Sequence, residues 1–143
     1  MNRRDMLLGT AGTAAALLST TAGAAEGRKD DHAHHALAHC AEVCQKCETE
    51  CLTCSSHCLE EAAGGDKDHA VCMQHCLDCA AACQLCADVM SRGGPNAKAV
   101  AKLCAEICDR CAEHCAKFKS DEHCTKCAKV CRDCAAECRK SIA

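Results

Sequence analysis

The sequence predicts an all-α chain: an antiparallel, up-down-up-down four-helix bundle with a cysteine-lined core. Cysteines recur at alternating gaps of four and three residues in four runs. The runs are Cys40, Cys44, Cys47, Cys51, Cys54, Cys58; Cys72, Cys76, Cys79, Cys83, Cys86; Cys104, Cys108, Cys111, Cys115; and Cys124, Cys127, Cys131, Cys134, Cys138. That alternation is the narrow stripe a helix turns toward its partners in a bundle. All 20 cysteines of the 143 residues fall in these runs, while one Phe, one Pro and no Tyr or Trp leave little for a β fold. Gly64-Gly65, Gly93-Gly94-Pro95 and Ser120-Asp121 separate the runs, where helices have to stop and restart.

The N-terminus reads as a targeting segment. Arg3-Arg4 precede an apolar, Ala-rich stretch from Leu7 to Leu18, and the small residues Ala22-Gly23-Ala24 follow. The pattern predicts a twin-arginine-type signal peptide over residues 1–24, export to the periplasm, and no membrane association once it is removed. The apolar run is shorter than the roughly 20 residues a spanning helix needs. Residues 25–31 then read as a loose polar leader.

Helix 1 is expected over 32–62, opened by His32, His34, His35 and His39, a tract that suits either a metal or simple solvation. Helix 2 follows over 66–91, capped by Asp66 or Asp68. Helix 3 is placed over 95–118 with Pro95 in its first turn. Helix 4 covers 121–142, with the Ser120 hydroxyl as cap and the Asp121 and Glu122 carboxylates facing the helix dipole. Beside the seams the flanking positions are small: Ala41, Ala80, Ala87, Ala105, Ala112, Ala128 and Ala135. Small flanks let the helices approach closely.

The formal charge of −3, with no long basic run and no aromatic platform, argues against nucleic-acid binding. No phosphate loop, acid–base pair or nucleophile–base arrangement points to an enzyme. Thiols three and four residues apart sit on one helix face, about 5–6 Å apart at Cβ. Thiolate softness selects Cu(I), zinc or iron–sulfur chemistry, and charge separates them. One Cu(I) per thiolate leaves a buried core neutral, whereas zinc on four thiolates leaves two negative charges at every site. Multiple Cu(I) ions are therefore the expected cargo. Two alternatives stand beside it: an exported disulfide-stapled scaffold, and a zinc or iron–sulfur protein. Against the first, bridges three or four residues apart close only tiny loops. A thiol oxidoreductase would use Cys124-Thr125-Lys126-Cys127 near a helix N-terminus, the nearest candidate here.

Two segments carry a likeness: Cys104-Ala-Glu-Ile-Cys108-Asp-Arg-Cys111-Ala-Glu-His-Cys115, and His123-Cys124-Thr-Lys-Cys127-Ala-Lys-Val-Cys131-Arg-Asp-Cys134-Ala-Ala-Glu-Cys138. Over residues 37–141 the chain resembles the bacterial copper storage proteins. The resemblance implies many Cu(I) ions held inside the bundle, largely by CxxxC pairs on one helix, for supply to copper enzymes or for detoxification. It further implies a copper-dependent enzyme or chaperone as recipient, a homotetramer, and a mouth furnished with His or Met. The twin-arginine segment is similar to that of the family's exported members. Antiparallel order gathers His57, His69, Met73, His114 and His123 at one end. His57-Cys58 and His123-Cys124 match the family's His before Cys, so His57, His69 and His123 join the thiols as candidate ligands. Phe118 stands where relatives have a third histidine.

Overall fold

The computed structural model describes residues 23–143, so the expected signal peptide over 1–24 lies almost wholly outside the described residues. Four helices follow in order: α1 (Gly23–Ala63), α2 (Lys67–Ser91), α3 (Ala97–Cys115) and α4 (Glu122–Lys140). There is no strand among the described residues. Each helix packs against two neighbours, α1 and α3 both lying between α2 and α4, which makes a square antiparallel bundle.

Several boundaries differ from expectation. Residues 25–31, read as a loose leader, continue α1, which begins at Gly23. Ala, Glu, Arg and Lys in this stretch are good helix formers, and propensity carries the helix past the last apolar contact. Pro95 lies in the turn before α3 rather than in its first turn, and Asn96 precedes the helix without a side-chain cap. The cap of α4 is Asp121, not Ser120: its carboxylate accepts from Cys124 N at 3.0 Å. Asp66 caps α2 by accepting from the backbone N–H of Asp68 and His69.

Two helices end in the same device. Gly65 (φ 107°) and Gly93 (φ 57°) occupy the left-handed region that L side chains avoid. The next residue's N–H reaches back five positions, Asp66 to Glu61 O at 3.2 Å and Gly94 to Val89 O at 3.1 Å. This satisfies carbonyls that the helix end leaves open.

Every cysteine is at most 1% exposed, and the flanking alanines are buried beside them. The core is thus assembled from two small residue types, with cysteine acting as a compact hydrophobe. At the end where α1 and α3 start, the cluster finishes in larger apolar groups. Met90 is buried there, with Leu37, Ala97, Val100 and Ile142 packed around the core.

Candidate metal centre

The helices hold their thiols in a fixed antiparallel register. Along the α1–α4 seam, Cys40 faces Cys138 at 3.8 Å, Cys44 faces Cys134 at 3.7 Å, and Cys47 faces Cys131 at 3.8 Å. Cys51 and Cys54 follow, opposite Cys127 and Cys124, both at 3.9 Å. The α2–α3 seam pairs Cys72 with Cys115 at 3.5 Å, Cys76 with Cys111 at 3.9 Å, Cys79 with Cys108 at 3.6 Å and Cys83 with Cys104 at 3.8 Å. Sulfurs also bridge the diagonal from α2 to α4: Cys76–Cys127 at 4.0 Å, Cys79–Cys131 at 3.8 Å and Cys83–Cys134 at 4.0 Å.

Within single helices, the CxxxC pairs Cys104–Cys108, Cys111–Cys115 and Cys127–Cys131 stand at 3.9, 4.0 and 3.9 Å. All these separations are far above the disulfide bond length of about 2.05 Å, and all 20 thiols are free.

The sulfurs condense into groups of four whose members lie within 4.8 Å of one another. Examples are Cys40, Cys44, Cys86, Cys138; Cys44, Cys104, Cys134, Cys138; and Cys47, Cys83, Cys108, Cys134. Cys44 and Cys138 each serve two groups, as do Cys47, Cys51 and Cys131. The groups therefore overlap into one column rather than forming separate tetrahedral sites. Burial makes a bare thiolate costly: it is the largest influence on Cys58, pushed up to about 12, and on Cys124, also raised. Cys72, at the same end, is shifted the opposite way, held down by the Cys115 thiol beside it, so burial keeps the protons on Cys58 and Cys124 in particular.

One end of the column is polar. His57 Nε2 donates to Asp121 Oδ2 at 2.6 Å, and His69 Nε2 lies 3.3 Å from the same oxygen. His123 stacks on His57 with ring centroids 4.5 Å apart, and Phe118 covers His69 at 4.1 Å. His69 Nδ1 is 2.9 Å from Asp66 Oδ2, off the line of a hydrogen bond. Burial opposes protonation of His69, but the carboxylates of Asp66 and Asp121 outweigh it and raise its pKa. Asp121 is partly desolvated, yet the Cys124 N–H and the two histidines hold its carboxyl at about 2.

The three candidate histidines are thus brought together, two of them on a carboxylate the sequence offered only as a charge facing the α4 dipole and the third by stacking on His57. The carboxylate's signal was position: Asp121 starts the helix that carries His123 and Cys124 into this end. His75 and His114 stack on each other at 4.5 Å, at the α2–α3 face, and Lys117 Nζ donates to His114 Nδ1. Met73 is half-buried against the core.

A family model described as copper storage protein matches residues 33–143. Among solved structures, a Cu(I)-bound copper storage protein is 34% identical, covering 73% of this chain and 96% of its own, with a TM-score of 0.66. A cytosolic copper storage protein from Streptomyces lividans, carrying five coppers, is 32% identical over 78% of this chain and 96% of its own, with a TM-score of 0.72. Apo copper storage protein 3 from Bacillus subtilis is 36% identical over 73% of this chain and 96% of its own, at a TM-score of 0.63. No curated protein matches the chain. The Streptomyces protein overturns the expectation of a periplasmic, exported protein, since a similar chain is cytosolic.

Proposed function

The chain belongs to the copper storage protein family, and from that premise we propose how its thiol column takes up and holds the metal. The chain stores Cu(I) on cysteine thiolates inside a four-helix bundle. The observation that carries the finer reading is the overlap of the four-thiol groups, because shared sulfurs let neighbouring ions bridge without a gap. Each arriving Cu(I) replaces a thiol proton, so positive charge enters as positive charge leaves and the interior stays neutral. All 20 cysteines act as ligands in this reading, and the polar end with His57, His69 and His123 is where ions pass.

Two features support that placement. The opposite end is packed with Met90 and Leu37, while the His57 end offers imidazole donors beside the thiols of Cys58 and Cys124. Exposed Leu77, Leu85 and Leu103 on α2 and α3 are consistent with self-association. Delivery to a copper-dependent enzyme or chaperone completes the proposal.

The test is a Cu(I) titration of the reduced chain against a competing chelator. Binding on the order of one ion per cysteine is expected from the neutrality condition. A plateau at two to four ions would mean discrete sites and would refute the column.

A further inference from the structure

Histidines outside the thiol column form a second donor set. In α1, residues 32, 35, 39 and 42 are spaced by three, four and three, and His32, His35, His39 and Glu42 are all exposed. At 3.6 residues per turn these positions lie along one ridge of the helix, neighbours standing about 5–6 Å apart at Cβ. His39 Nδ1 already lies 4.0 Å from Glu42 Oε2. The ridge is distinct from the seam that begins at Cys40, which points into the core. His34 diverges from it, its Cε1 standing 3.8 Å from where a side chain on Gly93 would begin.

Because α1 is helical from Gly23, these side chains are held in register instead of on a loose leader. That continuity turns a histidine-rich composition into a chelating geometry.

We propose that this ridge is a divalent-metal site, with His35 and His39 as the chelating pair, Glu42 as the carboxylate ligand and His32 as a neighbouring donor. Imidazole and carboxylate donors suit a first-row divalent ion such as Ni(II), Zn(II) or Cu(II), whereas the buried thiols select Cu(I). The site is solvated, so a doubly charged ion meets no neutrality condition there. Water completes its coordination.

The test uses Ni(II) as probe on the full chain with its thiols already filled by Cu(I). Binding of one Ni(II) is expected, weakened about tenfold or more in the His35→Ala/His39→Ala variant. Binding should be unaltered in His57→Ala/His123→Ala. Both variants should keep wild-type helical circular dichroism, since the altered side chains are not in the core. The proposal is overturned if the loaded wild-type chain takes up no Ni(II), if the α1 variant binds as well as wild type, or if the loss follows His57 and His123. Nickel–thiolate charge-transfer absorption would overturn it too, since uptake would then be by cysteine.

Discussion

His57 and Asp121 meet at 2.6 Å across 64 residues of sequence, joining the C-terminal part of α1 to the cap of α4. The same carboxylate oxygen reaches His69 on α2, so one residue ties three helices together at the histidine end. Asp121 also holds the first turn of α4 through Cys124 N.

Asp121→Asn should therefore loosen this end, and the loss should depend on pH. The carboxyl's pKa falls from 3.8 to about 2 on folding, so its contribution is present above pH 3.8 and disappears as pH falls toward 2. His69 is raised above 6.5, so its contribution is full below that pH and is lost as pH rises through the folded value. Denaturant unfolding of apo protein at about pH 5 should show a loss of about 2 kcal/mol. A smaller difference is expected below pH 2 and above neutrality. A pH-independent loss would assign Asp121 to capping alone.

Replacing His57 and His123 together by alanine should slow copper exchange more than it lowers capacity. The imidazoles stand outside the column, stacked at 4.5 Å, so their removal leaves the thiols intact. Transfer rates to a chelator, compared with the number of ions bound at saturation, separate the two effects. Unchanged rates would place the passage elsewhere.

Copper uptake should acidify an unbuffered solution. With Cys58 pushed up to about 12, that thiol enters the reaction protonated, and about one proton should leave for each protonated thiol that becomes a ligand. Affinity accordingly rises with pH. Proton release well below this, measured by pH-stat titration, would mean that the apo thiols are already ionised.

Met90→Ala should cost about 2–5 kcal/mol by opening a cavity in the packed end. Met90 is 1% exposed, the largest side chain so thoroughly buried. Loading kinetics through the histidine end should stay as in wild type. Faster loading in the variant would show that the apolar end is a second passage.

Apo and copper-loaded forms should give the same helical circular dichroism. Cysteine and alanine fill the core without metal, and the caps at Asp66 and Asp121 do not depend on it. Collapse on chelation would mean that metal drives folding.

The four helices and their inward face were legible because a single residue type marks the seam, from Cys40 to Cys138. Helix ends were less so. Gly64-Gly65 and Gly93-Gly94 marked where α1 and α2 stop, whereas which residue caps α4, Asp121 rather than Ser120, was not marked. Residues 25–31 have no apolar beat, so their helicity rests on propensity, which a pattern-based reading undervalues. His57, His69 and His123 could be assigned to one end from topology, whereas the bridge through Asp121 depends on side-chain rotamers that spacing does not encode. The expectation of export rested on paired arginines before an alanine-rich run, a compositional sign that the similar cytosolic protein does not support.

If ions pass at the histidine end, as proposed, then Met90 and Leu37 at the other end make the bundle a cul-de-sac. Ions crowded into a blind alley leave roughly in reverse order of arrival, so the newest copper is handed on first and the oldest stays deepest. A cell drawing lightly on such a reserve would circulate only its outermost fraction, and an isotopic label given early should linger after a later one has gone.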